Sequence, residues 1–187
     1  LFTGWVDVKL SQKGISEAHK AGKDLLEKGF DFDICFTSYL KRAIETQQII
    51  LEEIDREWLP VIKAWQLNER HYGALQGLNK TETSAQYGDK QVHIWRRSFN
   101  VQPPTIDEKS PYNARQQEQY RDIQTSKIPL CESLSDTIKR TVPYFEQNIK
   151  PHIISGKRVL ITAHGNSLRS LIKYFEHISD EDITKVE

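Results

Sequence analysis

The chain has 187 residues, enough for one domain with a single core or a domain with a small lobe. Hydrophobic residues make up 37% and charged residues 28%, and Lys+Arg and Asp+Glu balance at 26 each. No net field points to nucleic acid or to a membrane surface, so any basic cluster has to be assembled locally by folding. No apolar run has the length of a bilayer span, and Leu-Phe-Thr-Gly-Trp at the start has neither the charged nor the apolar region of a signal peptide. Cys35 and Cys131 lie far apart with no metal or C-x-x-C spacing, which reads as two reduced thiols in a cytoplasmic protein. The chain contains no methionine, begins at Leu1 and stops at Glu187 just after a helical pattern. The expectation is a single domain over 1–187 whose ends are trimmed or not included.

In chain order, Ser11 is a candidate cap for a helix with Ile15, Ala18, Leu25 and Leu26 on one side, and Gly29 is its stop. Residues 34–37 are a short apolar run suited to a buried strand. Ser38 then opens a second helix carrying Leu40, Ile44, Leu51 and Ile54. Another strand falls around 60–64, with Pro60 suggesting an edge position. Residues 79–98 read as one or two helices broken at Gly88-Asp89. The stretch 100–130 holds four of the seven prolines and few apolar residues, so it reads as a long surface excursion of the kind that often lies over a site. Ser133 starts a helix to about Ile154, interrupted by Pro143 and Pro151. Val159–Ala163 is a strand, and a helix with Leu168, Leu171, Ile172 and Phe175 follows. Alternation of strands and helices predicts an α/β fold, a mainly parallel open sheet with helices on both faces.

Three groups of residues carry chemistry. The first is Ala163-His164-Gly165-Asn166-Ser167, where a strand runs into a helix. Ligands of open α/β sheets bind beyond the carboxyl ends of strands, and Gly165 lets backbone approach a ligand closely. Gly165 and Asn166 would open a helix whose free N–H groups and dipole favour an anion. The alternative is that Asn166 caps the helix and His164 is packed at the strand end.

The second group is Leu67-Asn-Glu-Arg-His-Tyr-Gly73, a dense polar cluster with Glu69, Arg70, His71 and Tyr72 between apolar flanks. A carboxylate beside phosphates and partly shielded from water would have a raised pKa and could serve as general acid or base. A solvated polar turn would read the same way. The third group is a scatter of cations: Arg42, Lys80, Arg96 and Arg97. Arginine forks bind phosphate bidentately and lysine acts as a point charge. Each alone fits a solvated helix surface, but together with an acid and a histidine they point to a phosphate-rich ligand. No H-E-x-x-H or other metal spacing, G-x-S-x-G, Walker or G-x-G-x-x-G motif is present, so no resident metal is expected.

Six segments together resemble the 2,3-bisphosphoglycerate-dependent phosphoglycerate mutases of the histidine phosphatase superfamily. They are Phe2-Thr-Gly-Trp5, Thr37-Ser-Tyr-Leu-Lys-Arg-Ala43, Leu67-Asn-Glu-Arg-His-Tyr-Gly73, Gly77-Leu-Asn-Lys80, Trp95-Arg-Arg97 and Ala163-His-Gly-Asn-Ser167. The resemblance covers essentially the whole chain in order. It implies a phosphoglycerate mutase-like fold and interconversion of 3-phosphoglycerate and 2-phosphoglycerate through a phosphohistidine enzyme primed by 2,3-bisphosphoglycerate, without a metal. It carries the proton donor and acceptor to Glu69 and the second active-site histidine to His164. Ligand contacts carry to Thr3, Gly4, Arg42, Glu69, Arg70, His71, Tyr72, Lys80, Arg96, Arg97, Gly165 and Asn166. Small phosphoglycerates are the implied partners, with no nucleic acid or membrane, and the family's habit implies a homodimer or homotetramer. The Arg-His-Gly segment that supplies the family's phosphorylated histidine lies upstream of Phe-Thr-Gly-Trp. The expectation is therefore that these 187 residues alone lack the nucleophile. Two alternatives are a bisphosphoglycerate mutase and a phospholigand-binding relative without catalysis; Thr3-Gly4, Lys41 and Lys80 favour the glycolytic enzyme over the first, and Glu69 with His164 speaks against the second.

Overall fold

The computed structural model describes residues 1–186. In chain order the elements are α1 (Gln12–Glu27), β1 (Ile34–Thr37), α2 (Lys41–Glu53), β2 (Val61–Lys63), α3 (Lys80–Tyr87), α4 (Asp89–Arg97), α5 (Leu134–Tyr144), α6 (Lys150–Ile154), β3 (Val159–Thr162) and α7 (Gly165–Glu176). The chain forms two compact units. One comprises residues 7–68 and 143–164, the other residues 1–6, 69–142 and 165–187.

The first unit contains the sheet. Its three strands are parallel in the order β2-β1-β3, with Phe36 opposite Ile62 on one side and Ile161 on the other. The short apolar run predicted at 34–37 is the central strand, the run predicted at 159–163 pairs with it on one side as β3, and the run after Pro60 lies at the other edge as expected. Neighbouring residues of a strand project to opposite faces. Cys35 packs with Leu51 of α2, Ile54 at its end, Leu59, Leu25 and Leu160, whereas the Phe36 ring meets His152 of α6 at 5.8 Å. Helices therefore cover both faces. The Cys35 thiol is fully buried and pushed up to about 11 by that burial, so it is a packing group and not a nucleophile.

The Ser11 hydroxyl accepts the Gly14 N–H at 3.0 Å and caps α1, and Gly29 follows its end in the left-handed region. Helices α1 and α2 pack together at Gly22, whose missing side chain admits Glu53 and Ile50. The expected interruption of the 133–154 helix takes an unusual form. Pro143 lies inside α5, a wide π-type turn over Phe145–Ile149 follows, and Pro151 sits in the first turn of α6. The widened turn takes up the irregularity that a proline imposes on the helical ladder, so the path stays helical.

The second unit is built around Phe2, Leu75, Val92 and Trp95, with Tyr72 packed on them. As expected from Gly88-Asp89, α3 and α4 are separate helices, broken where Gly88 adopts φ +84°. The 100–130 stretch departs from its reading as a surface excursion. Ile106, Ala114, Tyr120 and Ile128 are buried, and the Tyr120 ring stacks on Trp5 at 5.2 Å. The Ile106 N–H donates to the Leu130 carbonyl at 3.0 Å, and the Arg115 guanidinium donates to the Ile128 carbonyl at 3.0 and 3.2 Å. A few apolar anchors separated by tight turns have no periodicity, which hides them from pattern reading.

Candidate functional site

The candidate residues divide between the two units. In the sheet unit, β1 and β3 pair in register at Thr37 and Thr162, and the Thr37 hydroxyl donates to the Thr162 carbonyl at 2.7 Å. The chain beyond each strand is thereby held side by side at the carboxyl end of the sheet. There the Ser38 hydroxyl lies 2.7 Å from Nε2 of His164, and both side chains are buried. Ser38 was expected to open α2. It instead orients His164 while accepting the Leu40 N–H at 3.1 Å, and Leu40 takes the cap position without a side-chain bond. Arg42 stands in the first turn of α2, half-buried and engaged, as the strand–helix reading required. Asn68, fully buried, accepts the Tyr39 N–H at 3.0 Å and fixes the turn between β1 and α2.

In the other unit, Glu69 is half-buried. Its Oε1 accepts the N–H of Arg70 at 2.7 Å and the N–H of Asn166 at 3.2 Å. Gly165 and Asn166 do open α7, and a carboxylate of the chain itself takes the position where a helix N-terminus favours negative charge. Glu69 Oε2 points towards Gly165: a Cβ built there would stand 3.9 Å away, so the exposed glycine leaves space beside this oxygen.

Thr3 and Gly4 form a turn against the same segment. Gly4 has φ +51°, and a Cβ on it would meet Gln76 Oε1 at 2.6 Å and Tyr72 at 3.1 Å, so both conformation and space demand glycine. Gln76 Oε1 accepts the N–H groups of Trp5 at 2.9 Å and Tyr72 at 3.3 Å, tying turn and cluster together.

The cations Lys80, Arg96 and Arg97 are exposed at the start of α3 and the end of α4. Partial burial holds the Lys80 ammonium below its ordinary range, and the positive charges of Arg96 and Arg97 lower it further. Like charges that disfavour the Lys80 ammonium in this way would be relieved by an anion placed among them. The Lys80 ammonium also stands 5.9 Å from the centre of the Phe2 ring.

Arg70 and His71 have a different setting. Arg70 is 1% exposed, donates to the Trp95 carbonyl and lies 4.7 Å over the Tyr72 ring, and burial lowers its pKa. His71 is fully buried. Its Nδ1 accepts the Gly73 N–H at 2.9 Å, its Nε2 lacks a partner among the described residues, and burial depresses its pKa to about 4. Both side chains are turned inward and hold the cluster together.

Sequence reading missed the support beneath this cluster. Glu132 and Arg140 form a buried ion pair at 2.6 Å, Arg140 donates to the Glu69 carbonyl at 2.9 Å, and Trp5 Nε1 donates to the same carbonyl at 2.5 Å. The available signal was a glutamate directly before the Ser133-x-x-Asp136 capping pattern, with an arginine eight positions on. Among the described residues, no group of three or more His, Cys, Asp or Glu is arranged to hold a metal ion, and no helix is long and apolar enough to cross a membrane.

Comparison with known proteins agrees with the resemblance. The histidine phosphatase superfamily (branch 1) matches residues 1–127. A protein of Treponema denticola named 2,3-bisphosphoglycerate-dependent phosphoglycerate mutase is 63% identical over 186 residues, covering all of this chain and 75% of the relative. Proteins of the same name from Lachnoclostridium phytofermentans and Pasteurella multocida are 59% and 54% identical, again over the whole chain and over 75% and 82% of their own lengths. Among solved structures, a mycobacterial glucosyl-3-phosphoglycerate phosphatase superposes with a TM-score of 0.69 at 20% identity, covering all of this chain and 76% of that one. A phosphoglycerate mutase from Bacillus anthracis gives 0.63 at 19% identity over 93% of this chain and 71% of that one. At such identities these two likenesses concern the fold, whereas the full-chain identities are those of close kin. The chain belongs to the histidine phosphatase superfamily, and within it to the 2,3-bisphosphoglycerate-dependent phosphoglycerate mutases.

Proposed function

We propose that the protein interconverts 3-phosphoglycerate and 2-phosphoglycerate in glycolysis through a phosphohistidine enzyme primed by 2,3-bisphosphoglycerate. The observation that carries this reading is the 63% identity, over the whole chain, to a protein named for that dependence. The geometry fits the ligand: Lys80, Arg96 and Arg97 crowd positive charge that a phosphate would neutralise, and Gly165 leaves space beside Glu69. When bound, the bisphosphate supplies the priming phosphoryl group.

In this reading Lys80, Arg96, Arg97 and Arg42 bind phosphate and carboxylate oxygens, and Thr3, Gly4 and Tyr72 shape the ligand's seat. Arg70 and His71 contribute by holding the loop. Glu69 takes a proton from the hydroxyl that becomes phosphorylated and returns one to the hydroxyl set free. A carboxylate fixed through one oxygen keeps the other for this exchange. His164, oriented by Ser38, steadies the phosphoryl group in flight, and the Gly165 and Asn166 backbone adds the favourable end of α7. Positioning and charge stabilisation suffice for phosphoryl transfer, so arginines and amides take the place of a metal. On this reading the protein is cytoplasmic and forms a homodimer or homotetramer, as its family does, which light scattering would test.

The deciding experiment is a turnover assay of the complete encoded polypeptide. Conversion of 3-phosphoglycerate to 2-phosphoglycerate should require added 2,3-bisphosphoglycerate and persist in EDTA. Strict dependence on manganese would overturn the reading.

A further inference from the structure

Two opposite charges, Glu132 just before α5 and Arg140 within it, are 4% and 9% exposed in their side chains. They meet through two parallel bonds, Nε to Oε1 at 2.6 Å and Nη2 to Oε2 at 2.8 Å. A buried pair is weak evidence for stability, because desolvating both charges offsets much of their attraction. Its other contacts indicate a second use.

Arg140 Nη2 also donates to the backbone carbonyl of Glu69 at 2.9 Å, which receives Trp5 Nε1 at 2.5 Å as well. Glu132 grips the next position but one on both sides. Its Oε2 accepts the His71 N–H at 2.8 Å, and its own N–H donates to the His71 carbonyl at 2.8 Å. The peptide groups that flank Arg70 are therefore fixed from one helix and the turn before it. The direction of the Glu69 side chain follows from the backbone at 69, so the pair controls where the carboxylate points without touching it.

We infer that Glu132 and Arg140, with Trp5, are positioning residues for the proton-transferring carboxylate of Glu69; this inference rests on the proton-carrier reading of Glu69 given above. A lysine at 140 would retain the charge but would lose the planar fork that bonds Glu132 twice and the Glu69 carbonyl at once. Misplacement of a reacting group by about 1 Å costs up to roughly 100-fold in rate.

The test compares Arg140→Lys, Trp5→Phe, Glu69→Gln and the double variant Arg140→Lys/Glu69→Gln in the complete encoded polypeptide, with rates normalised to folded protein by circular dichroism. Arg140→Lys should lower kcat about tenfold or more while KM for 3-phosphoglycerate changes little, and should displace the pH profile of kcat. Trp5→Phe, which deletes one donor to the same carbonyl and keeps a large ring, should move kcat in the same direction. In the Glu69→Gln background Arg140→Lys should have no further effect. If Arg140→Lys and Trp5→Phe lower the melting temperature but leave kcat, KM and the pH profile of folded enzyme as they were, the pair is only structural and the inference fails. If Glu69→Gln itself keeps full turnover, the proton-carrier reading fails and takes this inference with it.

Discussion

Glu69 is held through one carboxylate oxygen by two backbone N–H groups, and a glutamine could keep both bonds through its amide oxygen while being unable to carry the proton. Glu69→Gln should therefore cut turnover by about 100-fold or more and leave binding of 3-phosphoglycerate, measured by calorimetry, nearly unchanged. Equal losses in both would remove Glu69 from the proton-transfer role. His71 offers a test of a different kind. Its folded pKa is depressed from 6.5 to about 4, so between those values the unfolded chain binds a proton that the native chain refuses. Stability then rises with pH across that window and is lost as pH falls through it, by about 3 kcal/mol in total. Urea unfolding between pH 4 and 7 should show this slope, and His71→Asn, whose amide oxygen can accept the Gly73 N–H in place of Nδ1, should flatten it. Glu69 and His164 were legible because they stand in dense polar or glycine-flanked motifs. Ser38 was misread because a serine after a strand looks like a helix cap, and only the register of β1 against β3 brings it to His164. Arg140 left only the faint mark of a glutamate eight positions before it, because a buried arginine on an amphipathic helix has the spacing of a surface one.

Helix ends and close contacts decide the stability of the elements. Gly22→Ala should raise the helix propensity of α1 by about 1 kcal/mol, but its Cβ would stand 2.5 Å from Glu53 Cβ and 3.3 Å from Ile50 Cα. Neither obstacle is the end of a flexible side chain, so overpacking of about 1–3 kcal/mol should win and the variant should unfold at lower urea. A gain in stability would mean that α1 and α2 separate at little cost. At α5, the Ser133 hydroxyl accepts the Asp136 N–H at 3.2 Å while Asp136 accepts the Ser133 N–H at 2.9 Å. Ser133→Ala should cost about 1 kcal/mol by the same assay. Starts of this kind were readable at Ser11 and Ser133 because the cap chemistry is local. The π-type turn after Pro143 was not, because a proline announces a disturbance without specifying whether the chain bends, stops or widens.

At the scale of the molecule, a chain without net charge concentrates Lys80, Arg96 and Arg97 at one place. Ligand binding to the folded state stabilises it in proportion to the logarithm of concentration over Kd. 2,3-Bisphosphoglycerate should raise the melting temperature, and Lys80→Ala/Arg96→Ala/Arg97→Ala should reduce that rise in differential scanning fluorimetry. An undiminished shift would place the anion elsewhere. The parallel sheet was legible from its short apolar runs and alternating helices. The 100–130 stretch was not, because Tyr120 and Ile106 reach the interior one at a time. The division into units has a consequence for genetic dissection. The chain passes from one unit to the other after Val6, Asn68, Val142 and His164, and two of these points fall inside the Asn68-Glu69 and His164-Gly165 motifs. No single cut of the gene therefore yields either unit whole. A chimera built by swapping one continuous segment with a relative leaves at least one unit of mixed parentage, and exchanging a whole unit takes junctions at all four of those peptide bonds.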